Sequence, residues 1–285
     1  MIYMRSQRLF TLAVAGLGAL ACAPDLGAPP SLVDGPRVLA VRGEPPEVRP
    51  GEPASFEALV VDEEGRVTAA FDWTFCLTPK PPIENNIVTA ACLADGGAPI
   101  ATAAAGLVPM DACKRFGPDP PGPGLRGRDP DVTGGFFVPV RVEALGQVAF
   151  GLQRIRCNLA QAPLGVAQDF SERYAPNQNP SIGALELPEN VASGASLDLT
   201  VEAMGQEAYV RFDPASRTLV DDVEALTVSW FATGGRFLED RSAVADARAT
   251  NRWTAPEAGG PVRFFAVLRD SRGGAAFVEG GVEVR

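Results

Sequence analysis

The feature that most limits what this chain can fold into is a two-residue alternation of apolar and polar side chains, repeated segment after segment. Leu197, Leu199, Val201 and Ala203 alternate with Ser196, Asp198, Thr200 and Glu202. Ala208, Val210 and Phe212 alternate with Tyr209 and Arg211, and Leu226, Val228, Trp230 and Ala232 with Thr227, Ser229, Phe231 and Thr233. Successive side chains of a strand point to opposite faces, so this period requires sheets with one face buried. Further strands are predicted over 263–269 and 275–285, joined by Ser271-Arg272-Gly273-Gly274, whose glycines supply the positive φ of a tight hairpin. In the first half, Phe71, Trp73, Phe75 and Leu77 share one face, and so do Phe136, Val138, Val140, Val142 and Ala144. Strands are also predicted over 54–61 and 148–159. With 30 glycines and 26 prolines, and no long helical pattern after residue 21, the chain reads as all-β. Its 285 residues suffice for two β-sandwich domains, placed at 37–178 and 179–285.

Three stretches carry a family resemblance: Leu226 to Phe237 (LTVSWFATGGRF), Asn251 to Pro256 (NRWTAP) and Val267 to Gly274 (VLRDSRGG). They resemble bacterial Ig-like and PKD-like repeats. The resemblance implies tandem Ig-like sandwiches, with Trp230 on a central strand and an Asp-x-x-Gly-Gly turn joining the last two strands. It implies a fold and no activity. The first half is similar to a decorated copy in which Trp73 plays the part of Trp230. It departs from the pattern at 78–134, an insertion with Pro/Gly-rich segments (GPDPPGPG at 117–124), both lysines of the chain, Lys80 and Lys114, and two cysteines. A stretch of that length without structure of its own is either functional or disordered.

The N-terminus carries an address. Arg5 and Arg8 precede the apolar run from Leu9 to Leu20, which is shorter than the ~20 residues of a membrane-spanning helix. The sequence Ala19-Leu20-Ala21-Cys22 resembles a bacterial lipobox: Ala21 and Cys22 match, while Ala19 stands where Leu is usual and Leu20 where a small residue is usual. The resemblance implies a signal peptide at 1–21, a lipidated Cys22 and contact with the membrane through that lipid. The expected location is the Gram-negative cell envelope, as an outer-membrane lipoprotein, with a flexible tether at 22–36. Cleavage after Ala21 without lipid, giving a periplasmic or secreted protein, is the alternative. Cysteine parity favours the lipid, because it leaves an even set of Cys76, Cys92, Cys113 and Cys157 for disulfides in an oxidising compartment.

Four cysteines allow three pairings. Cys76 lies three residues from Trp73, hence on the opposite face of a regular strand. The favoured pairing is Cys92–Cys113, closing the insertion on itself, with Cys76–Cys157; the alternative is Cys76–Cys92 with Cys113–Cys157. The absence of CxxC spacing and of any histidine argues against zinc sites and redox-active thiol pairs.

The lack of histidine also excludes Ser-His-Asp and Cys-His catalysis. No nucleophile elbow, P-loop or dinucleotide fingerprint appears, and a Ser–Lys dyad would have to draw its lysine from the irregular insertion. No enzyme activity and no cofactor are expected, although a carboxylate-pair hydrolase needs no spacing signature. A net charge of −10 repels phosphate backbones, so nucleic acid is not an expected partner. Asp129 and Asp131, and Asp221, Asp222 and Glu224, form acidic loop clusters of the kind calcium uses, against a plainer reading as solvated turns. Trp73 and Trp230 fall on core faces, which leaves Trp253 as the tryptophan for surface contact. The leading expectation is a non-catalytic envelope lipoprotein that presents Ig-like domains for interaction or scaffolding. Its contact surface is 78–134 and its partner an envelope protein or polysaccharide. A carbohydrate- or calcium-binding accessory module and an unrecognised hydrolase are the alternatives.

Overall fold

A computed structural model describes residues 28–81, 88–94, 97–100 and 104–285; the expected signal peptide (1–21), Cys22 and the first part of the expected tether lie outside them. The protein is all-β, and its two halves repeat one topology. In the first half β3 (Pro53–Asp62) pairs with β1 (Arg37–Glu44), β4 (Gly65–Arg66) and β7 (Ala105–Leu107). The facing sheet runs β2 (Glu47–Val48), β9 (Gln147–Ile155), β8 (Phe136–Ala144), β5 (Asp72–Cys76), β6 (Gly97–Pro99). In the second half one sheet runs β10 (Ser181–Ile182), β12 (Ser196–Met204), β18 (Arg248–Thr254), β16 (Arg236–Phe237). Its partner runs β11 (Asn190–Val191), β20 (Ala275–Val284), β19 (Gly260–Asp270), β15 (Leu226–Ala232), β17 (Arg241–Ala243). A separate hairpin joins β13 (Ala208–Asp213) to β14 (Thr218–Val223).

The opening strand of each half crosses between its two sheets. β1 is antiparallel to β3, while β2 runs parallel to β9 with Glu47 opposite Arg154. β10 is antiparallel to β12, while β11 runs parallel to β20 with Asn190 opposite Glu283. Pro45 and Pro46 mark the crossing in the first half, where residues without an N–H cannot continue a ladder.

The period-2 faces become the two cores. Phe56, Ala58 and Val60 of β3 meet Trp73 and Phe75 of β5 and Val138, Val140 and Val142 of β8. Leu199, Val201 and Ala203 meet Trp230, Phe264 and Trp253. Trp253 is thus not a surface residue. It is 0% exposed, edge-on to Phe264 with ring centroids 4.8 Å apart, and its indole N–H donates to the Gly234 carbonyl at 3.0 Å. The cause is the register of β18, whose odd residues Ala249, Asn251 and Trp253 all point inward. β13 departs from its expected alternation as well, since Ala208 is exposed and Tyr209 buried.

The sandwiches are not beads on a string. Ala58 to Val61 of β3 and Phe264 to Leu268 of β19 are buried on both faces. Leu39, Ala40, Leu59 and Val61 of the first half form one apolar cluster with Phe265 and Val267 of the second, with Phe231 and Phe277 packed against it. Four sheets therefore stack face to face, and removing this shared apolar surface from water drives the packing. Part of the stretch expected as a flexible tether at 22–36 is held in this packing. Val33 is fully buried in the shared cluster, its N–H donates to Ala232 at 2.8 Å, and the Ala232 N–H donates back to Ser31 at 2.9 Å. Between the halves lies α3 (Leu164–Arg173), a helix without a buried residue that the strand patterns did not announce.

Residues 78–134 are not wholly an insertion. They supply β6 and β7, which complete the first sandwich as β17 and β18 complete the second. The added material lies before and after them and includes α1 (Ala90–Ala94) and α2 (Ala112–Phe116).

Candidate interaction surface

Two disulfides hold the added segments against the sandwich, and they follow the alternative pairing rather than the favoured one. Cys76 bonds Cys92, and Cys113 bonds Cys157. Cys76 does lie off the Trp73 core, on the outer face of β5. There α1 brings Cys92 over it, and Val88 and Phe150 join the small buried cluster. Cys113 on α2 meets Cys157 just beyond the end of β9. Gly117 makes that approach possible, because a Cβ there would sit 2.9 Å from the Cys157 sulfur and 2.8 Å from the Cys113 carbonyl. Each bond ties the added chain to the sandwich rather than to itself.

The stapled segments border an open groove of about 1170 Å³, lined by Lys80, Lys114, Arg115, Arg126 and Arg128 together with Asp111, Asp129 and Asp131. Arg115 pairs with Asp111 at 2.7 Å and donates to the Leu77 carbonyl at 2.8 Å. The hydrogen bond that Arg115 donates to Asp111 holds the Asp111 carboxyl below its ordinary range. Arg126 pairs with Asp129. Asp131 folds its own loop, its Oδ1 accepting from the Thr133 N–H and hydroxyl and from the Gly135 N–H. Arg128 braces the rim by donating to the carbonyls of Arg115 and Lys80. Among the described residues Lys80, Lys114 and Arg128 form no ion pair.

The candidate calcium ligands are not brought together. Besides Asp129 and Asp131, Asp221 pairs with Arg173, and Asp222 accepts from Arg211 at 3.2 Å and from the Val223 N–H at 2.9 Å. Asp221 and Asp222 lie on β14 rather than in a loop, and Glu224, in the short connection from β14 to β15, is buried at 1% exposure. Among the described residues no group of three or more His, Cys, Asp or Glu side chains could hold a metal ion. The acids are spent on arginines and turns.

Glu224 belongs instead to a buried ionic cluster where the two halves meet, built around Arg272 of the Asp270–Gly274 turn. Asp270 shapes the turn by accepting from the Arg272 and Gly274 N–H groups, and Gly273 takes φ +106°. The Arg272 side chain is 0% exposed. It lies 3.3 Å from Glu47 and 3.4 Å from Glu224, with the Tyr209 ring 4.7 Å from its guanidinium carbon. Glu47 also faces Arg154 at 3.4 Å and accepts from the Tyr174 hydroxyl and the Asn177 N–H. Arg154 continues the network to the Thr133 hydroxyl at 2.7 Å, so the groove loop and the interdomain cluster share a chain of contacts. Burial, then the negative charge of Asp270, pushes the Glu224 carboxyl up to about 7. Burial, then Glu47, pushes the Tyr174 phenol up to about 12.

Converging carboxylates with one raised acid would suit a hydrolase, but the cluster has no room for a substrate. The cavity beside Glu47, Arg154 and Tyr174 holds about 30 Å³, enough for one or two waters. Sequence patterns had not marked Glu47, Arg154 or Arg272. An arginine at a hairpin tip reads as solvated unless the neighbouring domain is known to cover it.

No family model and no curated protein matches this chain. Among solved structures it is similar to a conjugative transposon lipoprotein from Bacteroides eggerthii (13% identity over 36% of this chain and 94% of that one, TM-score 0.24). A chimeric titin Z1Z2 tandem aligns at 15% identity over 88% of this chain and 99% of that one, TM-score 0.28. The D0-D1 domain of Intimin aligns at 11% identity over 87% and 98%, TM-score 0.23. Likenesses at this level carry no argument about activity or partners, and the sandwich architecture rests on the strand pairing described above. No helix among the described residues is long and apolar enough to cross a membrane.

Proposed function

We propose that this chain is a non-catalytic binding protein of the bacterial cell envelope, held by a lipid on Cys22, whose stacked sandwiches present the 78–134 region to another envelope component. The observation that carries the reading is the double staple. The first half has elaborated the loops around β6 and β7, fastened them with both disulfides and left an open charged groove between them. The second half, with the same topology, crosses from β15 to β19 without any such addition. Ordering exposed chain costs conformational entropy, and disulfides offset that cost by restricting the unfolded chain. A surface fastened at these two points, with no substrate-sized cavity in the buried carboxylate cluster among the described residues, suits binding rather than turnover.

A photo-crosslinking amino acid in place of exposed Leu125, at the rim of the groove, tests the reading in a Gram-negative host making the full-length chain. Leu238, exposed on the second sandwich, serves as the control. A discrete adduct from position 125 and none from 238 is expected. The absence of any adduct from 125, or equal adducts from both, overturns the contact surface. Detergent partition of the same protein and of Cys22→Ser tests the anchor: the wild type should enter the detergent phase and the variant the aqueous one.

A further inference from the structure

We propose that the groove between α2 and the 126–131 loop takes an acidic polysaccharide, whose anionic sugars are held by Lys80, Lys114 and Arg128. The inference rests on the reading of 78–134 as the contact surface and names the chemistry of what that surface meets.

The chain carries a net charge of −10, yet its two lysines both line this groove. Each is held near a staple, Lys114 next to Cys113 and Lys80 four residues after Cys76. The acids of the groove do not cancel these charges, because Asp111 and Asp129 face Arg115 and Arg126, and Asp131 is engaged by its own turn. Among the described residues Lys80, Lys114 and Arg128 are then the groove cations without a carboxylate partner. At physiological salt the field of the distant acidic surface is screened within ~8 Å, so the local excess of positive charge decides what enters.

The walls decide between a sugar and a peptide. An extended peptide is held mainly by pairing its backbone with N–H and C=O groups of an exposed strand. This groove offers Pro79, Pro121, Pro130 and Pro139, which have no N–H. Together with Phe136, which packs against the core, and Phe137, whose ring lies against Arg154, they line the groove with apolar surface, which suits the C–H face of a sugar ring. A polymer bearing one carboxylate per sugar matches a few cations spread along an open groove. A nucleic acid duplex, with one phosphate charge per ~1.7 Å of axis, is too densely charged for a groove with so few unpaired cations.

The test is retention of the purified full-length chain on beads carrying polygalacturonate, beside beads carrying neutral dextran and beads carrying poly-glutamate. Lys80→Gln with Lys114→Gln is the variant. Neither lysine makes an ion pair among the described residues, so an unchanged melting temperature should confirm that the variant folds. Saturable retention on polygalacturonate alone is expected, weakened about fivefold or more in the variant and abolished between about 0.05 and 0.5 M salt. No retention, equal retention on dextran, or retention unchanged in the variant overturns the proposal. Equal or tighter retention on poly-glutamate overturns it in favour of an acidic peptide. A crosslink from position 125 to an envelope protein, with no retention on polygalacturonate, removes the polysaccharide and leaves the contact surface standing.

Discussion

Glu224 shows how a single residue reports the burial of an interface. Its carboxyl is pushed up to about 7 from an ordinary 4.5, so between these values the folded protein keeps a proton that the unfolded chain has released. Stability from this group is therefore full below 4.5 and declines as pH rises through 7, an effect on the order of 2–3 kcal/mol. Glu224→Gln keeps an oxygen to accept from the Glu207 N–H, which now lies 3.0 Å from the carboxylate, and removes the titration. Urea unfolding at a series of pH values should show the variant losing less stability than the wild type between about pH 4.5 and 7. Parallel profiles would mean that Glu224 does not titrate in that window. Trp253 makes the corresponding point for packing. Its indole is fully buried and hydrogen-bonded, so Trp253→Ala should cost roughly 3–5 kcal/mol, where a surface tryptophan would cost almost nothing. Trp253 reads as a surface residue from sequence because it sits beside Ala255-Pro256 at a strand end, where exposure is common, while the inward register of β18 is set by pairing with β12.

At the scale of elements, the two staples should differ in worth. Cys76–Cys92 joins residues 16 apart and Cys113–Cys157 residues 44 apart. The chain-entropy model assigns about 3 kcal/mol to the shorter loop and about 4 to the longer. Replacing each pair by serines should lower the melting temperature in both cases, more for Cys113 with Cys157. A non-reducing peptide map should show only these two linkages; a Cys92–Cys113 peptide would contradict the surface as built. Strands with one buried face were legible because alternation is a local signal: β12, β15, β5 and β8 all appear where the period places them. Position 76 was legible too, since its face follows from Trp73. The partner of Cys76 was not, because pairing depends on where α1 lands, and nothing local in the sequence sets that. The groove was legible as a region and not as a charge pattern, since Asp111 and Arg115 pair only once α2 forms.

At the scale of the whole molecule, the continuous apolar runs Ala58 to Val61 and Phe264 to Leu268 carried a message that alternation alone hides: a strand apolar on both sides has a second sheet behind it. Here the second sheet belongs to the other half of the chain, and the shared cluster, the Arg272 network and residues 31–33 all cross the junction. Domains joined by a flexible linker move independently by default, but a buried apolar interface with a sealed ionic cluster removes that freedom. The protein should unfold as one unit, with a single calorimetric transition. Val267 is the position from which to test this. It is fully buried in the shared cluster, while its neighbours Ala266 and Leu268 point into the second sandwich's own core. A charge at Val267 would thus strike the interface and spare both sandwich interiors. Val267→Asp should lower the stability of the coupled unit by several kcal/mol, because a buried unpaired carboxylate has no partner there. The transition should then split into two, the first sandwich keeping its disulfides and the second its tryptophan core. Retention of one transition at the wild-type temperature would show that the halves are joined only by their linker. A single transition at a lower temperature would show that neither sandwich folds alone, and the shared face would then be part of one core.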